Sequence, residues 1–253
     1  MLRAMTQEAT SSQHPHRLRL EWGRRGVREA AERGDVVVIV DVLRFSSCVA
    51  SAVSRGASVY PCAWAEEADE LAKRIDGYVA RAPGSPTRFA LVPTFSDAAA
   101  EDRIVLRTLN GAECTVLAST APRVLAGSLL NASAVGASIS AVIASSEQCV
   151  TIVACGERLT KPAPGDEEMR FAIEDYLGAG AILSAAGGDL SPEAQVCASA
   201  FDGSRDRLLE LLLECASGRQ LRDWALEDDV RFSARLDACG VVAELHDSRY
   251  EGA

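Results

Sequence analysis

Five consecutive residues, Val36–Val40 (VVVIV), constrain this chain most. β-Branched side chains are stiff and favour extended backbone. A run of them with no polar alternation has no face to give to solvent. It fits a strand buried on both sides, as in a parallel sheet covered by helices. A polar cluster follows, Asp41–Ser47 (DVLRFSS), and then a small-residue helix, Cys48–Arg55, stopped by Gly56. A second strand is expected at Ser58–Cys62. Ala65–Arg74 reads as a helix with an acidic first turn and a basic end, which suits the helix dipole.

The same grammar returns twice. Arg103–Leu106 reads as a strand, Arg107–Ala112 (RTLNGA) as a turn and Glu113–Thr120 as a helix. Arg123–Ala126 is then a short strand, followed by Gly127–Ala132 (GSLLNA) and a helix through about Ser145. A third pass runs from strand Val150–Ala154 through Cys155–Arg158 (CGER) to a helix over Glu168–Ala186. Strands alternating with helices imply βαβ units and a mostly parallel sheet, here an α/β/α three-layer fold. The first two passes look like a duplicated βαβα unit. From Ser191 onward the chain reads as helices, with Arg205–Cys215, Arg219–Trp224 and Asp228–Cys239 following the first. Gly77–Asp102 reads as a long loop with one short strand at Phe89–Val92. Residues 1–16 are expected to be a mobile tail and residues 17–253 a single α/β domain. Val36–Val40, Arg103–Leu106 and Val150–Ala154 should be parallel neighbours or near neighbours.

The bulk numbers narrow the function. Hydrophobic residues make up 48% of the 253 and charged residues 25%, enough for a large core. The net charge is −10, so neither nucleic acid nor an anionic membrane is drawn to the chain from a distance. No stretch reaches the ~20 apolar residues of a membrane span, and the first residues lack the apolar centre of a signal peptide. None of the eight cysteines forms a C-x-x-C pair. They are expected to be small buried side chains in a reducing cytoplasm.

In open α/β sheets ligands collect beyond the carboxyl ends of the strands. That rule selects the turns holding Asp41 and Arg44, Asn110 and Gly111, Ser128 and Asn131, and Gly156, Glu157 and Arg158. Carboxylates beside arginines, amides and helix starts suit a divalent cation holding a phosphate. Glu174-Asp175, acids flanked by apolar residues in mid-helix, join the candidates. Arg170 lies four residues before Glu174 and is expected to tether it. Each also has a plain structural role open to it: Asp41 and Asn131 as helix caps, Arg44 in a surface ion pair, Asn110-Gly111 as a turn. The chain has no G-x-S-x-G elbow, no phosphate-binding G-x-x-x-x-G-K-[ST] loop and no dinucleotide fingerprint. No cysteine is followed by arginine six residues on, and no second aspartate follows Asp41 at two residues.

Taken together, the turns resemble the 2-phosphosulfolactate phosphatase family. VVVIVDVLRFSS, IVLRTLNGAE, VLAGSLLNASAVG and VACGERLT with RFAIEDYLGAGAIL are similar to its segments, in the family's order, from about Asp35 to about Leu245. The resemblance implies a Mg²⁺-dependent phosphatase that converts 2-phosphosulfolactate to sulfolactate, a step toward coenzyme M. It implies catalytic roles for Asp41, Arg44, Glu157 and Glu174. Substrate contacts would come from Ser46, Ser47, Asn110 and Gly111, and from Ser128, Asn131, Gly156 and Arg158. The metal set would be drawn from Asp41, Glu157, Glu174 and Asp175, with the division of labour among them open. A homodimer is expected from the resemblance and from the Ala-, Ser- and Gly-rich runs Cys48–Arg55 and Ala132–Ala144. The chain departs from the family at Phe45, where a methyl is usual, at Gly84-Ser85-Pro86 and at Gln220. Those departures motivate an alternative, a phosphometabolite-binding or regulatory protein without turnover.

Overall fold

The computed structural model describes residues 13–158 and 169–253. Nine strands among them form one sheet. In chain order the first part runs β1 (Leu18–Trp22), α1 (Gly23–Glu32), β2 (Val36–Val40), α2 (Phe45–Ser54), β3 (Ser58–Cys62), α3 (Ala65–Ile75) and β4 (Tyr78–Val79). Then come β5 (Arg103–Arg107), α4 (Gly111–Leu117), β6 (Val124–Gly127), α5 (Ala132–Ser145) and β7 (Val150–Ala154). A two-strand ribbon, β8 (Glu157–Arg158) and β9 (Met169–Arg170), leads to α6 (Ile173–Ala186) and α7 (Pro192–Ser204). Helices α8 (Leu208–Glu214), α9 (Ala216–Asp223) and α10 (Glu227–Ser233) precede a terminal hairpin, β10 (Ala243–His246) and β11 (Arg249–Gly252).

The valine run behaves as its composition demands. Every residue of β2 is buried, and β7 and β6 flank it in parallel register. Alternate side chains serve two cores, since successive strand residues point to opposite faces. Val36, Val38 and Val40 pack toward Ile139 of α5, Ile182 of α6 and Phe201 of α7. Val37 and Ile39 pack toward Val27 of α1, Phe45 of α2 and Ala112 of α4. The result is the expected three-layer α/β architecture.

The strand order is β1-β7-β2-β6-β10-β11-β3-β5-β4. β1, β7, β2 and β6 are parallel to one another, and so are β3, β5 and β4. The hairpin joins the two groups through antiparallel pairings on both sides. The β3-β5-β4 group therefore runs opposite to the β2 group. Arg103–Leu106 lies in the same sheet as Val36–Val40, but five places away and reversed, so the expected parallel trio reduces to β2 and β7. The two βαβα passes pair crosswise, β2 with β6 and β3 with β5, which is what a two-fold relation between two copies would produce.

Other expectations need correcting. The region after Ser191 is not all helix; its last strands fill the centre of the sheet. The hairpin was overlooked because Ala243–His246 (AELH) is short and carries two polar residues. Phe89–Val92 forms only an isolated bridge, Arg81 with Ala90. The expected tail lies outside the described residues as far as Ser12. Gln13, however, donates from Nε2 to the Leu20 carbonyl at 2.5 Å, and His16 meets Asp189 at 2.8 Å. All eight cysteines are free thiols, six of them buried. Of the two small-residue runs offered for dimer contacts, Cys48–Arg55 is largely buried inside the chain, whereas Ala132–Ala144 keeps Ser133, Ala137, Ala141 and Ala144 exposed. Cys48–Val53 is buried, and Gly136 packs against Ala185 so closely that a methyl would collide. No helix among the described residues is long and apolar enough to cross a membrane.

Candidate active site

Strands β1, β7, β2 and β6 end on one edge of the sheet, and the segments leaving them converge there. Asp41 leaves β2 and is 5% exposed. Its Oδ1 accepts the Phe45 N–H at 3.2 Å, the first turn of α2, and its Oδ2 accepts the Gly111 N–H at 2.8 Å, the first residue of α4. α4 follows β5, whose end does not lie on this edge by strand direction. It arrives because it packs back across both β3 and β2. Ser46 Oγ accepts the Asp41 N–H and donates to the Ile39 carbonyl, while Ser47 Oγ donates to the Val42 carbonyl. Both hydroxyls thus fasten the turn.

Asp175 ties a second pair of turns. Its Oδ1 accepts the Val42 N–H at 2.8 Å and its Oδ2 the Gly156 N–H at 2.9 Å, so α6 is pinned to the ends of β2 and β7. Glu174, beside it, is also 3% exposed, and its Oε2 has no hydrogen-bond partner among the described residues. The acidic pair is not in mid-helix: α6 begins at Ile173, so both acids occupy its first turn, where the helix dipole favours them. Both are buried, Asp175 against two backbone N–H groups and Glu174 with one oxygen unpartnered among the described residues. Arg170 is not their helical neighbour. It lies on β9, donates to Ser217 Oγ at 3.3 Å, and its charge acts on Glu157.

Asn110 links the next two residues. Its Nδ2 donates to Glu157 Oε1 at 3.3 Å, and its Oδ1 accepts the Arg158 N–H at 3.1 Å. Burial raises the carboxyl pKa of Asp41, Asp175 and Glu157. Asp41 is held up to about 6, against two backbone N–H donors that lower it and the charges of Glu157 and Glu174 that raise it. Asp175 stands well above the usual range, with the charges of Asp41 and Glu174 adding to burial. Four carboxylates thus share one electrostatic neighbourhood, a pattern typical of functional sites.

Besides Ser46 and Ser47, which fasten the turn after β2, three expected residues are used elsewhere. Arg44 Nη1 meets Asp229 Oδ2 of α10 at 2.5 Å, a largely buried ion pair rather than a surface one. Ser128 and Asn131 form a reciprocal cap at the start of a short 3₁₀ turn, and Asn131 Nδ2 donates to the carbonyls of Ala126 and Val241. These two hold β6 to the hairpin strand's approach and are fully buried.

Beside the carboxylates opens a cleft of about 480 Å³, lined by Arg24, Arg25, Arg28 and Arg158, by the acids Glu21 and Glu29, and by Trp22 and Asn110 among others. The first turn of α1 forms one wall. Gly23, Arg24, Arg25 and Gly26 of that turn line the space, and no side chain caps α1. Glu113 lies behind, its two oxygens meeting Arg24 at 3.0 Å and Arg158 at 3.1 Å. The sequence reading assigned no element between residues 17 and 35 and missed this wall. The alternation Leu18-Arg19-Leu20-Glu21-Trp22 before Gly23-Arg24-Arg25 is the signal that marks it.

Such a site suits a small polyanion: basic groups to bind it, and acids with raised pKa values within reach. The fold and the site are those of an α/β protein that can take a small anion. The family model described as 2-phosphosulpholactate phosphatase matches residues 25–248. The chain belongs to that family and is a phosphoric monoester hydrolase. It is 30% identical over 235 residues to the 2-phosphosulfolactate phosphatase of Methanothermobacter thermautotrophicus, covering 88% of this chain and 92% of the relative. A probable 2-phosphosulfolactate phosphatase of Gloeobacter violaceus is 28% identical over 227 residues, 82% of this chain and 87% of the relative. Another from Symbiobacterium thermophilum is 30% identical over 228 residues, 83% and 90%.

Proposed function

We propose that this protein hydrolyses 2-phosphosulfolactate, or a phosphomonoester of the same small and highly anionic kind, to sulfolactate and phosphate, with Mg²⁺ as cofactor. The observation that carries this reading is the Asp41, Glu157, Glu174 and Asp175 cluster beside an arginine-lined cleft. Among the described residues no three His, Cys, Asp or Glu side chains stand close enough to cage a metal ion. Mg²⁺ does not require a cage. It is commonly held by one or two carboxylates, with waters and substrate phosphate completing the shell. Glu174, with a buried oxygen that has no hydrogen-bond partner among the described residues, fits that duty. Bound there, Mg²⁺ would supply charge neutralisation at the phosphate oxygens.

The chain's own groups do the rest. Asp41 and Asp175 accept two backbone N–H groups each, and so hold three turns, those at Val42–Phe45, Gly111 and Gly156, at fixed distance. Glu157 is half-buried and has a raised pKa, which equips it to take a proton from an attacking water. Asn110 fixes the Glu157 carboxylate. Arg158, lining the cleft, faces negative charge as it develops.

The Phe45 departure gives no support to a protein without turnover. The Phe45 ring does not enter the cleft. It is fully buried, covers Gly111 and meets the Tyr250 ring edge-on at 6.2 Å. A cytoplasmic homodimer serving coenzyme M synthesis belongs to the same proposal and rests on family likeness. The deciding experiment is phosphate release from 2-phosphosulfolactate with Mg²⁺ and with chelator. Release that chelator abolishes supports the reading; no release under either condition sinks it.

A further inference from the structure

Phosphate chemistry leaves two thiols of the cleft unused. Cys114 lies in the first turn of α4 and Cys155 directly after β7, and both line the cleft. Their backbones are fixed. The Cys114 N–H donates to the Asn110 carbonyl and the Cys155 N–H to the Val40 carbonyl, each at 2.9 Å. Cys114 is 1% exposed and Cys155 4%, so only a small molecule inside the cleft reaches them. A side-chain hydrogen bond runs between the two thiols. Other thiols are engaged differently. Cys62, Cys197 and Cys215 donate to the backbone carbonyls of Trp64, Tyr176 and Leu212, and Cys149 accepts from Arg19.

The pair sits between parts of the site that have to keep their spacing. Cys155 precedes Gly156, whose N–H is held by Asp175, and then Glu157. Cys114 lies one turn beyond Asn110, which donates to Glu157, and close to Gly111, which donates to Asp41. α4 follows β5 of one strand group, and Cys155 follows β7 of the other. A sulfur–sulfur bond is much shorter than a contact between two thiols. Joining these sulfurs would draw the start of α4 toward the end of β7 and shift Asn110 against Glu157. Burial, the neighbouring Cys114 and the charges of Asp41 and Asp175 push the Cys155 thiol well above its usual range, so it rests protonated and reacts slowly.

We propose that Cys114 and Cys155 are a reversible oxidation site: a peroxide small enough to enter the cleft closes them into a disulfide and thereby slows the enzyme. One sulfur attacks a peroxide oxygen and the O–O bond breaks. A sulfenic acid forms, and the thiol proton leaves with the departing oxygen as water. The second sulfur then attacks the first, the S–O bond breaks, and the second thiol proton leaves with that oxygen as water. Two thiols and one hydrogen peroxide thus give one disulfide and two waters, with two electrons passing from sulfur to the peroxide. A dithiol reductant reverses the step by thiol–disulfide exchange. The bond itself is independent of the phosphatase reading, and the slowing rests on it.

The test treats the reduced full chain with hydrogen peroxide under native conditions, blocks the remaining thiols by alkylation, and maps the unfolded, digested product by mass spectrometry. The expected product is lighter by two hydrogens, has the Cys114 and Cys155 peptides joined, and loses that link in dithiothreitol. The oxidised protein should release phosphate from 2-phosphosulfolactate on the order of tenfold more slowly or worse, because small misplacements of reacting groups cost that much. Reductant should restore the rate. Cys114→Ala and Cys155→Ala should form no such link and keep their rates through the same treatment. Recovery of both cysteines as alkylated thiols overturns the proposal, and so does a sulfinic acid at either one without the joined product. A joined product that works within about twofold of the reduced rate overturns it as well. An equal loss of rate in both alanine variants does the same, since the damage then lies elsewhere. If the reduced protein releases no phosphate, the phosphatase reading has failed, and the joined peptides alone uphold the oxidation site or, by their absence, overturn it.

Discussion

The Gly111 N–H donates to Asp41 Oδ2 at 2.8 Å, across 70 residues of sequence and between two groups of strands that run in opposite directions. The contact depends on the absence of a side chain. A methyl on Gly111 would strike the Phe45 ring, which is itself fully buried. Gly111→Ala should therefore destabilise the protein by ~1–3 kcal/mol. Phe45→Leu in the same chain should recover part of that loss, because the two residues compete for one space. Urea unfolding of the two single variants and the double variant measures the coupling. Strict additivity would show that the ring and the glycine are independent.

Asp41 makes stability depend on pH. Its carboxyl is held up to about 6 in the folded chain, against an ordinary 3.8. Between those values the folded state keeps a proton that the unfolded chain has released. The group thus costs stability increasingly as pH rises from about 4 to about 6, and the full cost, ~3 kcal/mol, stands above that. Asp175 shifts in the same direction. In chelator, wild type should become more stable as pH falls from 7.5 to 5. Asp41→Asn should show a shallower slope over the same window. Equal slopes in denaturant titrations at several pH values would remove Asp41 as the cause.

Glu174 separates stability from activity. Its Oε2 is buried without a partner among the described residues, and a buried carboxylate in that condition opposes folding. Glu174→Gln removes the charge and keeps the shape. The variant should unfold at the same temperature or higher. Its Mg²⁺-dependent turnover should fall by more than the roughly 10–100-fold that loss of an outer partner costs at a metal site. Calorimetric scans and phosphate release test the two halves separately. A variant that is unstable and fully active would reverse the assignment.

Parts of this fold were legible from local pattern. VVVIV states burial on both faces in five letters, and the ends of β2 and β7 direct attention to Asp41 and Glu157 without any structure. What failed to show depended on long-range pairing. Whether β5 runs with β2 or against it depends on a hairpin more than 130 residues later in the chain, and AELH carries no mark of a central strand. Arg44 stands beside Asp41 in sequence, yet its partner Asp229 lies 185 residues away on a helix whose charges look like an ordinary solvated face. Asn131 and Ser128 have the letters of a ligand-binding turn and of a capping box, and only the positions of the Ala126 and Val241 carbonyls choose between them.

The Arg44–Asp229 pair predicts its own consequence. Their side chains are 13% and 7% exposed, and burial pushes the Asp229 carboxyl up while Arg44 opposes the rise. Arg44→Ala leaves a carboxylate with little water and no cation, which should cost ~3 kcal/mol. Adding Asp229→Ala should restore much of it. If the double variant is as unstable as the sum of the singles, the pair contributes no coupling. Recovery would assign Arg44 chiefly to holding α10 against the turn after β2.

The last strands hold the two halves of the sheet together. β10 contacts β6 through two residue pairs, and β11 contacts β3 through one, Tyr250 with Val59. With so few backbone bonds, side chains share the joint: Arg123 donates twice to Glu244, Ser58 donates to Glu251, and Tyr250 fills the space between them and α2. Tyr250 is fully buried, its ring meets Phe45, and its hydroxyl is 2.9 Å from Thr115 Oγ1, which in turn donates to the Gly111 carbonyl. The joint and the active-site turn therefore share one small network. Tyr250→Phe keeps the ring and removes one hydrogen bond, so it should cost ~1 kcal/mol. Tyr250→Ala opens a cavity between α2, α4 and the sheet and should cost ~3–5 kcal/mol. Ending the chain at Gly240 removes the only strands that bridge the two groups among the described residues, and should abolish cooperative unfolding altogether. Far-ultraviolet circular dichroism during a urea titration distinguishes these outcomes. A truncated chain that still unfolded in one sharp transition would show that the helical layers alone hold the two groups of strands in place.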